Sequence, residues 1–216
     1  MLSSNLLFAI AITLLCSLSA NSDNLQDTCP TDTSSDTIFI NGFPCKNPSN
    51  ITTSDFKNLL LSQQGSTDPF LRSSITLVTA AEFPGLNTLG LSTARTDLEI
   101  DGLVTPHTHP RASEMIFVGK GVVIAGFIDT KSNLFQSVLR EGDVFVFPKG
   151  LLHYCLNNGF EDAIVYSVFN AQNPGVVDLA NALFGDKESG MATVKMAMKK
   201  LVARIGDDTT KPYDEL

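Results

Sequence analysis

The chain has 216 residues, of which 43% are hydrophobic and 18% charged, with a formal net charge of -8 at pH 7. That length holds one domain with a proper core and is awkward for two, and the low charge content excludes global disorder. The acidic balance would repel a phosphate backbone, which argues against nucleic acid as a partner and reads as ordinary solubility.

The first twenty residues carry no charged side chain, and residues 6–16 are mostly apolar. Small residues at Ser17, Ser19, Ala20 and Ser22 supply cleavage offsets, so residues 1–20 read as a secretory signal peptide. The apolar run is too short for a membrane span, and no other segment is long enough. Cys16 leaves with the signal. Cys29 and Cys45 bracket a loop rich in Pro, Ser, Thr and Asp and are expected to pair in an oxidising compartment, which leaves Cys155 free. Asn50-Ile51-Thr52 is an N-glycosylation acceptor. Thr53, Ser54 and Asp55 are placed to cap a short helix running to Leu61, so residues 21–73 read as an N-terminal extension.

From residue 74 the pattern changes to short apolar runs between turn residues. Runs at 75–80, 88–98, 115–118, 122–127, 134–139, 144–147, 154–156 and 163–169 predict strands, and their near-regular spacing predicts an all-β sandwich or barrel over 74–175. The period then switches. Val176, Leu179, Ala180, Leu183 and Phe184 share one helical face, and Met191, Val194, Met198, Leu201, Val202 and Ile205 share another. Residues 176–216 therefore read as two amphipathic helices and a tail. Their apolar faces pack either on the barrel or on a neighbouring subunit. Tyr213-Asp214-Glu215-Leu216 is similar to a retention signal of the endoplasmic reticulum, with Tyr where Lys or His is usual. The other reading is an ordinary acidic tail.

The chain has only three histidines, His107, His109 and His153. His107 and His109 are two apart, so on a strand both imidazoles face the same way. The offset to Glu114 is odd. Glu114, Ile116 and Val118 face inward only if Pro110 resets the register. His153 follows Gly142, a strand over 144–147 and a turn at Pro148-Lys149-Gly150. A single buried histidine is most often a hydrogen-bonded core residue. Three of them and a carboxylate on facing strands instead suggest a four-ligand metal site. Imidazole and carboxylate without thiolate suit Mn, Fe or Zn. Cys155 shares the face of His153. It reads as a small buried hydrophobe, with a thiol that tunes the site or is oxidised there as the other reading.

These residues resemble a known family. The stretch from Gly102 through His107, His109 and Glu114 to Gly121 is similar to the first cupin motif. Gly142, Pro148, Gly150, His153 and Asn157 match the second at every spacing. Residues 83–90, 109–114 and 169–175 narrow the resemblance to the germins and germin-like proteins of plants, and the Cys29/Cys45 pair sits where that family has its disulfide. The resemblance implies a cupin jelly-roll β-barrel with a C-terminal helical extension. It also implies Mn(2+) on His107, His109, Glu114 and His153, with Asn157 a candidate neighbour of the site. Further implications are assembly as a hexamer, a trimer of dimers, secretion to the apoplast or cell wall, and a role in defence. A manganese-dependent superoxide dismutase activity is implied for some members. A non-enzymatic binding, receptor or storage role is the alternative. Two departures bear on substrate. Oxalate-oxidising germins carry Asn three residues before the first histidine and before the Arg-x-Asp segment, where this chain has Val104 and Ala94. Both amides are suited to a dicarboxylate, so oxalate oxidation is not expected. Asp101 also stands where the first motif opens with Gly.

Overall fold

The computed structural model describes residues 29–34, 42–185 and 188–202. Residues 1–20, read as a signal peptide, Ile205 and residues 213–216, read as a retention signal, lie outside the described residues.

Ten strands form two antiparallel sheets. In chain order they are β1 (Ser73–Val78), β2 (Ser92–Leu98), β3 (Leu103–Thr108), β4 (Glu114–Lys120), β5 (Val122–Ile128), β6 (Leu134–Arg140), β7 (Val144–Phe147), β8 (Leu152–Asn157), β9 (Ala163–Phe169) and β10 (Val177–Asp178). One sheet has the order β1-β2-β9-β4-β7 and the other β10-β3-β8-β5-β6. Between the sheets lies a core that includes Leu98, Val104, Ile116, Val118, Val123, Phe147 and Val165. The alternation that makes β4 half-buried is visible in its side chains: Glu114, Ile116 and Val118 are buried, while Met115 and Phe117 are exposed. The inward row expected for Glu114 is therefore observed. The odd offset from His109 carries no penalty, because β3 and β4 belong to different sheets and the chain crosses the barrel between them.

Several expected elements differ. No α-helix follows Thr53. Two 3-10 turns, Thr53–Phe56 and Leu60–Ser62, stand in its place, with extended backbone at Lys57 between them. The cap itself forms, since Asp55 accepts from the Thr52 N–H at 2.8 Å. Phe56, Leu59 and Leu60 are exposed, however, so no packed face sustains a longer helix. The strand expected from residue 88 starts at Ser92, because Thr88 and Gly90 both take positive φ and form a turn. Asp101, the departure from the motif, has φ +62, a conformation Asp tolerates better than most residues. Gly102 is required by contact: a Cβ there would sit 2.8 Å from the Glu99 carbonyl.

The C-terminal pattern begins as strand rather than helix. β10 pairs with Thr108 and His107 of β3, and Asp178 then caps α1 (Leu179–Phe184) by accepting from Asn181 N at 2.8 Å. The second helix, α2 (Glu188–Val202), lies back on the barrel. Its Met198 is buried with Leu103, Ile124, Tyr154 and Leu156 on the outer side of the second sheet, with Val194 and Leu201 packed against them. The Cys29–Cys45 disulfide forms as expected. Asn87, fully buried, fastens that loop to the barrel by accepting from Phe43 N at 3.0 Å and donating to Phe43 O at 2.8 Å.

Candidate metal centre

His107 on β3 and His153 on β8 are cross-strand partners in one sheet. His109 stands one residue past the end of β3. Glu114 opens β4 in the facing sheet, in register with Phe147 of β7 and Phe169 of β9. All four sequence-predicted residues are brought together. Their ligand atoms lie within 4.8 Å of one another, and the side chains are buried.

Hydrogen bonds to backbone carbonyls fix how the imidazoles face. His107 Nδ1 donates to Thr105 O at 2.9 Å, His153 Nδ1 to Leu151 O at 2.8 Å and His109 Nδ1 to Gly175 O at 2.6 Å. A carbonyl only accepts, so each Nδ1 carries a proton, and in the neutral form of each ring the Nε2 lone pair faces inward. The loop that bears His109 is held from two sides. Arg111 Nε donates to Asn173 O at 2.7 Å, and Gly150 N donates to His109 O at 3.1 Å. Gly150 has φ +75, which is why this turn needs glycine.

The electrostatics call for a cation. Burial pushes the Glu114 carboxyl up, and it is held well below the usual range only where the facing His109 and His153 present it with protons or positive charge. His107 is pushed down to about 4, first by burial and then by His153, so it stays neutral. Glu114 Oε2 lies 3.3 Å from His109 Nε2 and 3.1 Å from His153 Nε2. Those spacings are ion pairs only if a ring is doubly protonated. With Nδ1 as donor, lone pairs face lone pairs, and Glu114 Oε2 and His153 Nε2 have no hydrogen-bond partner. Three neutral imidazoles and one carboxylate around such a point fit a divalent metal ion.

Sequence reasoning missed the aromatic frame. Phe169 meets His109 edge-on at 4.7 Å between ring centroids, and Phe147 stacks on His153 at 4.5 Å. Cys155 lines the same cavity as His153, as its spacing predicts, and is a buried free cysteine whose thiol burial and then Glu114 push up to about 12. Asn157, read as a neighbour of the site, is used elsewhere. Its amide donates to Leu98 O, Glu99 O and Glu161 O at 2.8–3.1 Å, and it does not line the cavity. Ala94 and Val104 do line it, together with the four ligands. Asn50 is exposed at the end of a 3-10 turn, Pro48–Asn50.

Comparison with known proteins agrees with this geometry. The Cupin family model matches residues 60–189. Germin-like protein subfamily 3 member 4 of Arabidopsis thaliana is 61% identical over 173 residues, 80% of this chain and 82% of the relative. An oxalate oxidase solved with the substrate analogue glycolate superposes with a TM-score of 0.72 at 33% identity, covering 81% of this chain and 96% of that one. Peruvianin-I, described as a cysteine peptidase from Thevetia peruviana latex, superposes with a TM-score of 0.69 at 38% identity, covering 74% and 98%.

Proposed function

The chain belongs to the cupin family and within it to the germin-like proteins, and from that membership we propose that it is a secreted manganese protein that disproportionates superoxide. His107, His109, Glu114 and His153 would hold the ion. The observation that carries the reading is the set of inward Nε2 lone pairs around a buried, ionised Glu114, with Glu114 Oε2 and His153 Nε2 unpartnered. A bound manganese ion would supply the one-electron oxidation and reduction that dismutation needs. The protein's own part is charge, orientation and exclusion of water. One carboxylate against a 2+ ion leaves the centre net positive and attractive to a small anion. The Phe147 and Phe169 rings close its flanks.

Oxalate oxidation stays with the structural relative that carries the name. Ala94 and Val104 offer a dicarboxylate no amide. The peptidase description of peruvianin-I does not transfer either. Among the described residues Cys155 is the one free thiol, and it is buried and held protonated.

The setting follows from the same family. The disulfide suits an oxidising compartment, consistent with a signal peptide at 1–20, a glycan on Asn50 and residence in the apoplast or cell wall, where defence is the expected process. Assembly as a trimer of dimers needs two separate surfaces. On the outer face of the first sheet, Val168, Met115 and Val146 form one exposed cross-strand row, and Phe117 and Val144 extend it in the next. Val176, Val177, Leu179 and Leu183 are exposed along β10 and α1. A ligand-holding role without turnover is the second reading, favoured by a cavity larger than superoxide requires.

The test is purified secreted protein assayed in parallel for superoxide dismutase and oxalate oxidase activity. Manganese-dependent dismutation lost in His107→Ala and His153→Ala, with no oxalate turnover, is expected. Dismutation that survives both substitutions would sink the proposal.

A further inference from the structure

The cavity beside the four ligands encloses ≈ 180 Å³, whereas a water molecule takes up about 30 Å³. Superoxide would leave most of that space to solvent. The wall is not built for solvent. Ala94, Val104, Ile116, Val165 and Phe169 line it, all buried and apolar. Toward the surface Ile75 and Val176 continue the apolar lining, 51% and 55% exposed.

Three of the hydroxyls in the lining already have partners, and Thr96 adds a further buried hydroxyl. Ser73 donates to Leu103 O at 2.7 Å, Tyr154 to Gln136, and Thr105 to Asp178. Among the described residues no lysine, arginine, asparagine or glutamine lines the cavity. An anion entering it would find a bound ion at one end, apolar walls along its length, and the Asp178 carboxylate as a further negative group.

We infer that the site takes a monoanion with one carboxylate head at the ion and a short aliphatic tail against Ala94, Val104 and Val165, and that it rejects dianions of the same length. This rests on the metal-holding reading above. The volume accommodates a carboxylate and about three carbons. The tail buries apolar surface and leaves no wall atom unsatisfied. A second carboxylate at the far end of the tail would lose water and meet hydroxyls but no cation, with Asp178 adding repulsion.

The test is calorimetric titration of the Mn(II)-loaded chain at neutral pH with butanoate and with butanedioate. The Mn(II) paramagnetic resonance spectrum is recorded alongside, to show that the head reaches the ion. Butanoate is expected to bind at least about tenfold more tightly and to change the spectrum. Val104→Asn, which puts an amide on the apolar wall, should narrow that preference to below about threefold. Butanedioate binding as tightly as butanoate in the unsubstituted chain overturns the inference alone, as does a preference unmoved by Val104→Asn. A chain that takes up no Mn(II) overturns the proposed function and this inference with it.

Discussion

His153 Nε2 and Glu114 Oε2 lie 3.1 Å apart in the barrel core, and neither makes a hydrogen bond. A buried pair of facing lone pairs costs free energy unless something positive lies between them. The backbone enforces the arrangement, because Leu151 O holds the His153 proton on the other ring nitrogen. The fold therefore keeps a cation-binding geometry in the side chains alone.

Without metal the site should make the fold sensitive to acid. The His107 pKa is pushed down to about 4 in the folded chain, whereas an unfolded histidine protonates near about 6.5. Between those values the unfolded chain binds a proton that the folded chain does not. Stability is thus lost as pH falls through that window, by at most about 3 kcal/mol. Urea titrations of the metal-free chain across the window measure this. His107→Gln should flatten the upper part of the profile, and a flat profile in the unsubstituted chain would contradict it.

Ser167 is buried, shares the cavity lining with Glu114 and helps to lower its carboxyl pKa. Ser167→Ala should leave the fold intact and weaken Mn(II) retention by about tenfold. Mn(II) titration of the two proteins checks it, and equal affinities would remove Ser167 from the role.

The Cys29–Cys45 bond closes a loop with a sequence separation of 16 residues. Replacing both cysteines by serine should cost about 3 kcal/mol on the chain-entropy model. Equilibrium denaturation is the measurement, and a change within its error would show that the Asn87 hydrogen bonds alone fasten the loop.

Met115 and Phe117 are 48% and 44% exposed on the outer face of the first sheet. Met115→Lys with Phe117→Glu should lower the solution mass, read by light scattering, without unfolding the barrel. An unchanged mass would place the subunit contact elsewhere.

The candidate ligand cluster was legible because three histidines and one glutamate sit at spacings that facing strands bring together. Two of their supports are local, since His107 and His153 each reach the carbonyl two residues before them. The third is not. His109 reaches Gly175, a partner 66 residues away that the loop held by Arg111 presents. The Phe147 and Phe169 rings follow from the register of β4 with β7 and β9, which the alternation in each strand leaves open. The helix expected at Val176 starts as β10 because tertiary pairing with β3 overrides the helical period. Asp55 joins a capping box whose N-cap is Thr52, one residue before the expected triplet, and the exposed Leu59 and Leu60 give that segment no helix.

The most direct measurement is elemental analysis of the secreted protein, unsubstituted and as Glu114→Gln. The expected result is about one manganese per chain, lost in the variant while the fold persists. Stoichiometric zinc, or manganese that Glu114→Gln retains undiminished, would contradict a manganese centre built on His107, His109, Glu114 and His153.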